Sequence, residues 1–220
     1  MRRQDLFERS LTKPEKRIMS RLNSPNQIQA FLDELSYSTE KIYRCPLRVL
    51  REQKAHCFDG AVFAGLGLGR LGYPPFILEL LPNERDDDHL IAPYKRDGYW
   101  GAVAKSNFVG LRFREPVYRT LRELVLSYFE QYYNVKGEKT LRGYTRPLNL
   151  TDFNPLGWMV KDDALEEIAN RLDRIQRFSI IDETRTNHLS PVDPRSYQAG
   201  LLGANQKGLF QPGKRTKRGF

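Results

Sequence analysis

The sequence predicts an α+β domain in which a buried helix that starts at a cysteine packs on an antiparallel sheet. Three observations predict it. Residues 57–69, CFDGAVFAGLGLG, are small and apolar nearly all round, as a helix reads when other elements cover it on every side. Two short β-rich runs flank Arg96-Asp97-Gly98, and Asp-Gly is the strongest local signal for a tight hairpin. Elsewhere apolar residues recur at spacings of three and four, the mark of helices that cover a sheet.

Taken in order, residues 1–23 are charged with weak helical periodicity. Ser24-Pro25 opens a helix with an N-cap serine and a proline at the first helical position. Ile28, Phe31, Leu32 and Leu35 make its apolar stripe. A loop at Tyr43-Arg44-Cys45-Pro46 leads to a short apolar stretch with Leu47, Val49 and Leu50. The buried helix follows. Its Gly65, Gly67 and Gly69 do not form a dinucleotide loop, because they neither follow a strand nor precede a helix. Gly72-Tyr73-Pro74-Pro75 is a turn, 76–81 a buried strand, and 83–88 an acidic loop. Residues 89–95 and 99–105 are the hairpin strands. After Arg114-Glu115-Pro116, the spacing of Val117, Leu121, Leu124, Val125, Tyr128 and Tyr132 predicts a long helix started by the proline and closed near Gly137. Residues 162–178 predict one amphipathic helix bearing Leu165, Ile168, Ala169, Leu172 and Ile175. The organisation expected is an N-terminal extension (1–24), a core domain (25–150), a helical extension packed on the core (151–205) and a basic flexible tail (206–220).

Composition bounds the function. The 220 residues are 40% hydrophobic and 29% charged, a soluble globular balance. The basic start has no apolar core behind it, so it is not read as a signal or transit peptide. No apolar run approaches the roughly 20 residues of a membrane helix, and cytoplasmic residence with no membrane contact is the expectation. Cys45 and Cys57 read as free thiols. The net charge is +9, and the tail GKRTKRGF offers a polyanion contact or is merely solvated.

The chemistry centres on Cys57. A nucleophilic cysteine is favoured as thiolate by a helix N-terminus and by a nearby imidazolium. Cys57 is placed for the first, and His89, fixed on a strand, can supply the second. A third group would orient the imidazole. With a two-residue turn at Asp97-Gly98, Arg96 pairs with Tyr99, and counting outward sets His89 opposite Ser106. Asn107 is one residue off and the better acceptor chemically. Gln53 could donate to an oxyanion beside the Cys57 backbone N–H. A buried structural thiol is the rival reading of Cys57. His56, His89 and Asp86-Asp87-Asp88 invite a metal site, but lack a second metal-spaced pair, so no metal or cofactor is expected. The three aspartates read as a solvated loop, Trp100 as core, and Arg114-Glu115 as a structural ion pair.

With these residues in hand, the stretch 57–107 resembles the transglutaminase-like, papain-related superfamily: Cys at a helix start, His on a strand, a third member on the next antiparallel strand. His56-Cys57-Phe58-Asp59-Gly60-Ala61, Tyr99-Trp100-Gly101-Ala102-Val103-Ala104-Lys105-Ser106-Asn107 and Arg114-Glu115-Pro116-Val117-Tyr118-Arg119 look like a bacterial branch of it. The core resemblance covers about 25–147, and the branch pattern extends through Tyr197-Gln198-Ala199-Gly200-Leu201-Leu202-Gly203. It implies a transglutaminase-like/papain-like core and a cysteine-dependent hydrolase or acyltransferase that forms a thioester from a peptide or small amide. The chain departs from the family pattern in two places. No acid stands at 104–106, where the family carries Asp, and Ile91 replaces an aromatic. Two expectations follow: a Cys–His pair with a neutral orienter, or a degenerate module that binds without turnover.

Overall fold

Caps and apolar stripes set the first helices of the computed structural model, which describes residues 4–211. Helix α1 (Gln4–Ser10) leads to α2 (Lys13–Arg21), whose start is a reciprocal box between Thr12 and Glu15. Helix α3 (Pro25–Glu34) is capped by Ser24, whose hydroxyl accepts from the Gln27 N–H at 3.2 Å. Phe7, Leu11, Met19 and Leu22 are all buried in the main core, so the first helices are integrated with the rest of the fold.

Strand β1 (Ser36–Tyr37) pairs in parallel with β2 (Lys54–Ala55) across helix α4 (Pro46–Glu52). That small pair delivers the chain to α5 (Cys57–Arg70), the helix expected from composition. Its glycines are close-approach positions. A Cβ on Gly67 would stand 2.8 Å from Ile28 of α3, and one on Gly65 would stand 2.7 Å from Leu150. The glycine run therefore lets neighbours reach the helix axis, and the helix entropy it forfeits is offset by packing.

The sheet is mixed in span and antiparallel in pairing. Strands β3 (Phe76–Pro82), β4 (His89–Arg96), β5 (Tyr99–Val103), β6 (Arg114–Tyr118), β7 (Leu141–Thr145), β8 (Leu148–Asn149) and β9 (Arg177–Ser179) form it. Their order is β6-β5-β4-β3-β7-β9, with β8 also on β3. The β4–β5 hairpin turns at Asp97 (φ 51°) and Gly98 (φ 87°), which pairs Arg96 with Tyr99 and Ala92 with Val103. Two positive φ values at Asp-Gly are the tight-turn geometry that matches strand twist.

Two expected helices are corrected. Residues 114–118 are strand β6, and the helix is only α6 (Leu121–Leu126). Pro116 lies on the outermost strand of the sheet, the position where a missing N–H is tolerated. Arg114 is bound there by Ser127, its Nε donating to the hydroxyl at 3.0 Å, and stacks 3.9 Å over the Tyr128 ring rather than pairing with Glu115. The second helix, α7 (Asp163–Asp173), stops short of 178, and 177–179 turn back as β9 against β7. Helices α8 (Glu183–Thr186) and α9 (Pro194–Gly200) follow, and a single turn at Gln206–Gly208 comes before the end of the described residues at 211.

The sheet has two covered faces. Ile77, Leu90, Ala92 and Tyr94 meet α5 in the larger core, which also takes in Trp158, Leu165 and Ile168. Leu78, Leu80, Ile91 and Ala104 face a smaller core with Leu124, Tyr128 and Tyr132. Among the described residues no helix is long and apolar enough to cross a membrane.

Candidate functional site

The head of α5 is built by three neighbours. His56 is its N-cap, and its Nδ1 accepts from the N–H groups of Phe58 (3.1 Å) and Asp59 (3.4 Å). Asp59 returns a carboxylate oxygen to the His56 N–H and another to the Arg44 N–H at 2.9 Å. Arg44 is itself buried, and its guanidinium is bound by Glu40, by Glu52 at 2.7 Å and by the Ser38 hydroxyl at 3.0 Å. Full burial pushes the Asp59 carboxyl up to about 7, against the opposing pull of the Arg44 and His56 amides. These contacts lock the 38–44 loop to the turn that presents Cys57.

Cys57 is half-buried at the first position of α5. Its thiol donates to the Asp88 carbonyl at 3.9 Å. Burial, then the Asp88 and Asp87 carboxylates, push that thiol up from its ordinary value, and the Leu90 amide offsets part of the shift. The resting sulfur is therefore a neutral thiol. Cys45, the other cysteine, is 3% exposed and pushed up to about 12 by burial. The acidic loop is not a freely solvated one. Tyr132 donates its hydroxyl to the Asp87 carbonyl at 2.8 Å, and Thr140 donates to the Asp86 carboxylate. Burial raises Asp86 to about 6.

His89 opens β4 opposite Leu80 of β3. Its Nε2 lies 2.8 Å from the Leu111 carbonyl, which can only accept, so Nε2 carries the proton and Nδ1 keeps the lone pair. Burial holds His89 down at about 4. Strand alternation puts its side chain with Leu80 and Ile91 on the face of the smaller core, whereas α5 lies on the other face. Cys57 and His89 nevertheless open onto a common space. They border one cavity of about 50 Å³ with Tyr37 and Tyr132, and no hydrogen bond joins them. Cys57 also borders a larger cavity of about 390 Å³, with His56 and Tyr43 in its wall.

The other expected site residues divide. Ser106 and Asn107 do border the small cavity, but neither is hydrogen-bonded to His89. The Ser106 hydroxyl accepts from the Phe108 N–H at 3.0 Å, and Asn107 pairs with the backbone of Asn205. The group that orients the imidazole is the Leu111 carbonyl. Gln53 lies outside both cavities, exposed at the left-handed end of α4, where its amide donates to the Leu50 carbonyl at 2.6 Å. It is not placed to serve an oxyanion at Cys57. Among the described residues no three His, Cys, Asp or Glu side chains gather to hold a metal ion.

Several participants carried no sequence signal. A backbone carbonyl such as Leu111 has no side-chain signature. Tyr37 reaches the site through the β1–β2 pair, which joins segments too short for periodicity to reveal. Asp59 had a usable one: an acceptor three residues after a cap reads as a capping box. Compared with known proteins, the chain matches no protein-family model and no curated protein.

Proposed function

We propose that this chain is a cysteine-dependent amide or peptide hydrolase or acyltransferase with a transglutaminase-like core. The observation that carries the reading is the shared cavity at the end of the β4–β5 hairpin. Cys57, heading a helix, and His89, with Nε2 tied to Leu111 so that Nδ1 can accept a proton, border the same space. In the reaction, Nδ1 takes the thiol proton as sulfur bonds to the carboxamide carbon. The imidazolium then returns that proton to the leaving amine, and a thioester remains on Cys57. Water releases an acid, and a second amine releases a new amide. The α5 N-terminus favours the negative charge that develops near Cys57.

The test is mass spectrometry of the full chain after incubation with a panel of peptide carboxamides, with hydroxylamine added as acyl acceptor. The expected result is an acyl adduct on Cys57, a hydroxamate product, and loss of both in Cys57→Ser. Absence of adduct and product across the panel would rule out this chemistry.

One observation favours a second reading, a binding module without turnover. The Cys57 thiol is engaged by the Asp88 carbonyl and kept neutral by its acidic neighbours. That module would bind a peptide in the same groove, with polyanion contact through the basic tail at 206–220, of which 212–220 lie outside the described residues. Heparin retention that disappears at modest salt would support the tail contact. In this reading the mass-spectrometric test gives no adduct while binding persists.

A further inference from the structure

We infer that the groove beside Cys57 is a binding site for a peptide backbone, read by the Asn107 amide, and that the chain's own 205–211 segment occupies it as a removable strap. The inference deepens the proposed function, because it assigns what covers and what enters the Cys57 site.

The geometry begins at α9. Its root is held firmly: Tyr133 donates its hydroxyl to the Ser196 carbonyl at 2.9 Å, and Tyr197 donates to the Val135 carbonyl at 2.8 Å. Beyond it, the chain crosses the candidate site. Asn107 makes a two-way pair with the backbone of one residue of the strap. Its Nδ2 donates to the Asn205 carbonyl at 2.9 Å, and its Oδ1 accepts from the Asn205 N–H at 2.8 Å. A side-chain amide that binds both main-chain groups of a single residue imitates a neighbouring β-strand. It reads backbone and places no demand on the residue's identity. The Asn205 side chain adds a donor to the Tyr37 carbonyl at 3.4 Å and receives the Lys207 N–H at 3.1 Å, which starts the turn at Gln206–Gly208.

Gly208 and Phe210 then border both cavities that Cys57 borders. The segment fits closely. A Cβ on Gly208 would stand 3.0 Å from the Tyr37 ring and 3.2 Å from the Thr39 methyl. The charged lining leans acidic around it: Lys207 shares the larger cavity with Glu40, Asp87 and Asp88 and with one other cation, Lys41. The peptide class this site takes is therefore extended at the Asn107 contact, turned directly after it, small at the Tyr37 contact and cationic one residue before that.

The hold is light. Among the described residues, three hydrogen bonds join strap and site, two of them on Asn107, and no residue beyond α9 belongs to the larger core. Segments of this kind open locally without unfolding the domain. Gly208 and Phe210 line the small cavity together with Cys57 and His89, so the strap's departure would open that space to water.

The experiment measures the rate of Cys57 alkylation by iodoacetamide in the full chain, with buried Cys45 as the internal reference. Two variants lift the strap by different means. Gly208→Leu drives a side chain into the Tyr37 ring. Asn205→Pro deletes the N–H that Asn107 holds, and Asn205 already has φ −74°, a proline-compatible value. In each, Cys57 is expected to react roughly tenfold faster than in the unaltered chain, the scale set by losing two or three modest hydrogen bonds from the closed state, with Cys45 unchanged. A synthetic peptide of sequence ANQKGLFQ, at millimolar concentration, is expected to restore slow labelling in Asn205→Pro. Unchanged Cys57 rates in both variants would overturn the strap, equal acceleration at Cys45 would reduce it to general loosening, and failure of the peptide to protect would remove the peptide site. Fast labelling together with no acyl adduct on any carboxamide leaves the strap standing and defeats the hydrolase alone.

Discussion

The two faces of the central sheet are built from different material. The α5 face meets Phe63, Ala64, Leu66 and Leu68, all 3% exposed or less, and the buried polar groups beside them, Asp59, Gln29 and Lys105, are bonded to main chain. The opposite face meets tyrosines whose hydroxyls are spent on backbone carbonyls, Tyr128 on Arg112 and Tyr132 on Asp87, and at its end the buried His89. The apolar residues of the α5 face hold the fold through area removed from water. The tyrosine face holds it through directional bonds, each of which also fixes a loop at the cavity. Stability and site geometry are thus divided between the two sides of one layer.

The largest way to test that division is on the α5 side. Phe63 is fully buried and stacks on Phe31 with ring centroids 5.0 Å apart. Phe63→Ala is expected to cost ~3–5 kcal/mol. Thermal denaturation would show a Tm lower by about 6–20 °C. A loss near zero would mean that α5 is not the main support of the sheet.

The helix head comes next. Asp59→Ala leaves the buried N–H groups of Arg44 and His56 without their acceptor and removes one arm from the Arg44 cluster. The expected loss is ~2–3 kcal/mol, from two donors stranded without a partner. Because Asp59 holds the turn that carries Cys57, the labelling rate of Cys57 should rise in the same variant. A variant that loses stability but keeps the original labelling rate would confine Asp59 to a structural role.

A third measurement separates the faces by pH. His89 is held at about 4 in the folded chain, below its ordinary value of 6.5. A depressed histidine is neutral when folded while the unfolded chain binds a proton, so its contribution is present above 6.5 and lost as pH falls from there through about 4. Asp59 at about 7 and Asp86 at about 6 act in the opposite sense: their raised values lower stability as pH rises from the ordinary carboxylate value through 6–7. His89→Gln retains a donor for Leu111 and deletes the titration. Its deficit relative to the unaltered chain should shrink by about 2 kcal/mol between pH 7 and pH 4.5, read by urea unfolding. A constant deficit would show that the His89 ring is not buried as a neutral base.

How much of this was readable beforehand depends on the range of the interaction. The Cys57 helix and the Asp97-Gly98 hairpin were legible because each is decided within a few residues, by apolar composition and by two positive φ values. Pro116 was misread because proline serves equally well at a helix start and on an outer strand, and only the sheet order decides between them. Counting the hairpin brought Ser106 and Asn107 to the cavity, yet their partners lay elsewhere. The Asn107–Asn205 pair joins residues 98 apart in the chain, and no local pattern encodes it. The orienter of His89 was invisible for a different reason, since it is main chain.

The smallest expected effect is also the one that most sharpens the comparison. Tyr132→Phe removes a single hydroxyl, the donor to the Asp87 carbonyl, and keeps the ring in the smaller core. The stability cost should be only ~0.5–1.5 kcal/mol, the net worth of one hydrogen bond. Its consequence for the site should be out of proportion. The Asp87 carbonyl sits one residue before the carbonyl that receives the Cys57 thiol, so freeing it loosens the peptide that keeps the sulfur occupied. Cys57 labelling should then rise severalfold while the melting temperature moves by about 1–5 °C. An equally small change at Ile91, such as Ile91→Val, lies on the same face without a polar contact and should leave labelling unaltered. If both variants change labelling alike, the tyrosine face supports the site only through packing, and the directional bonds lose their special standing.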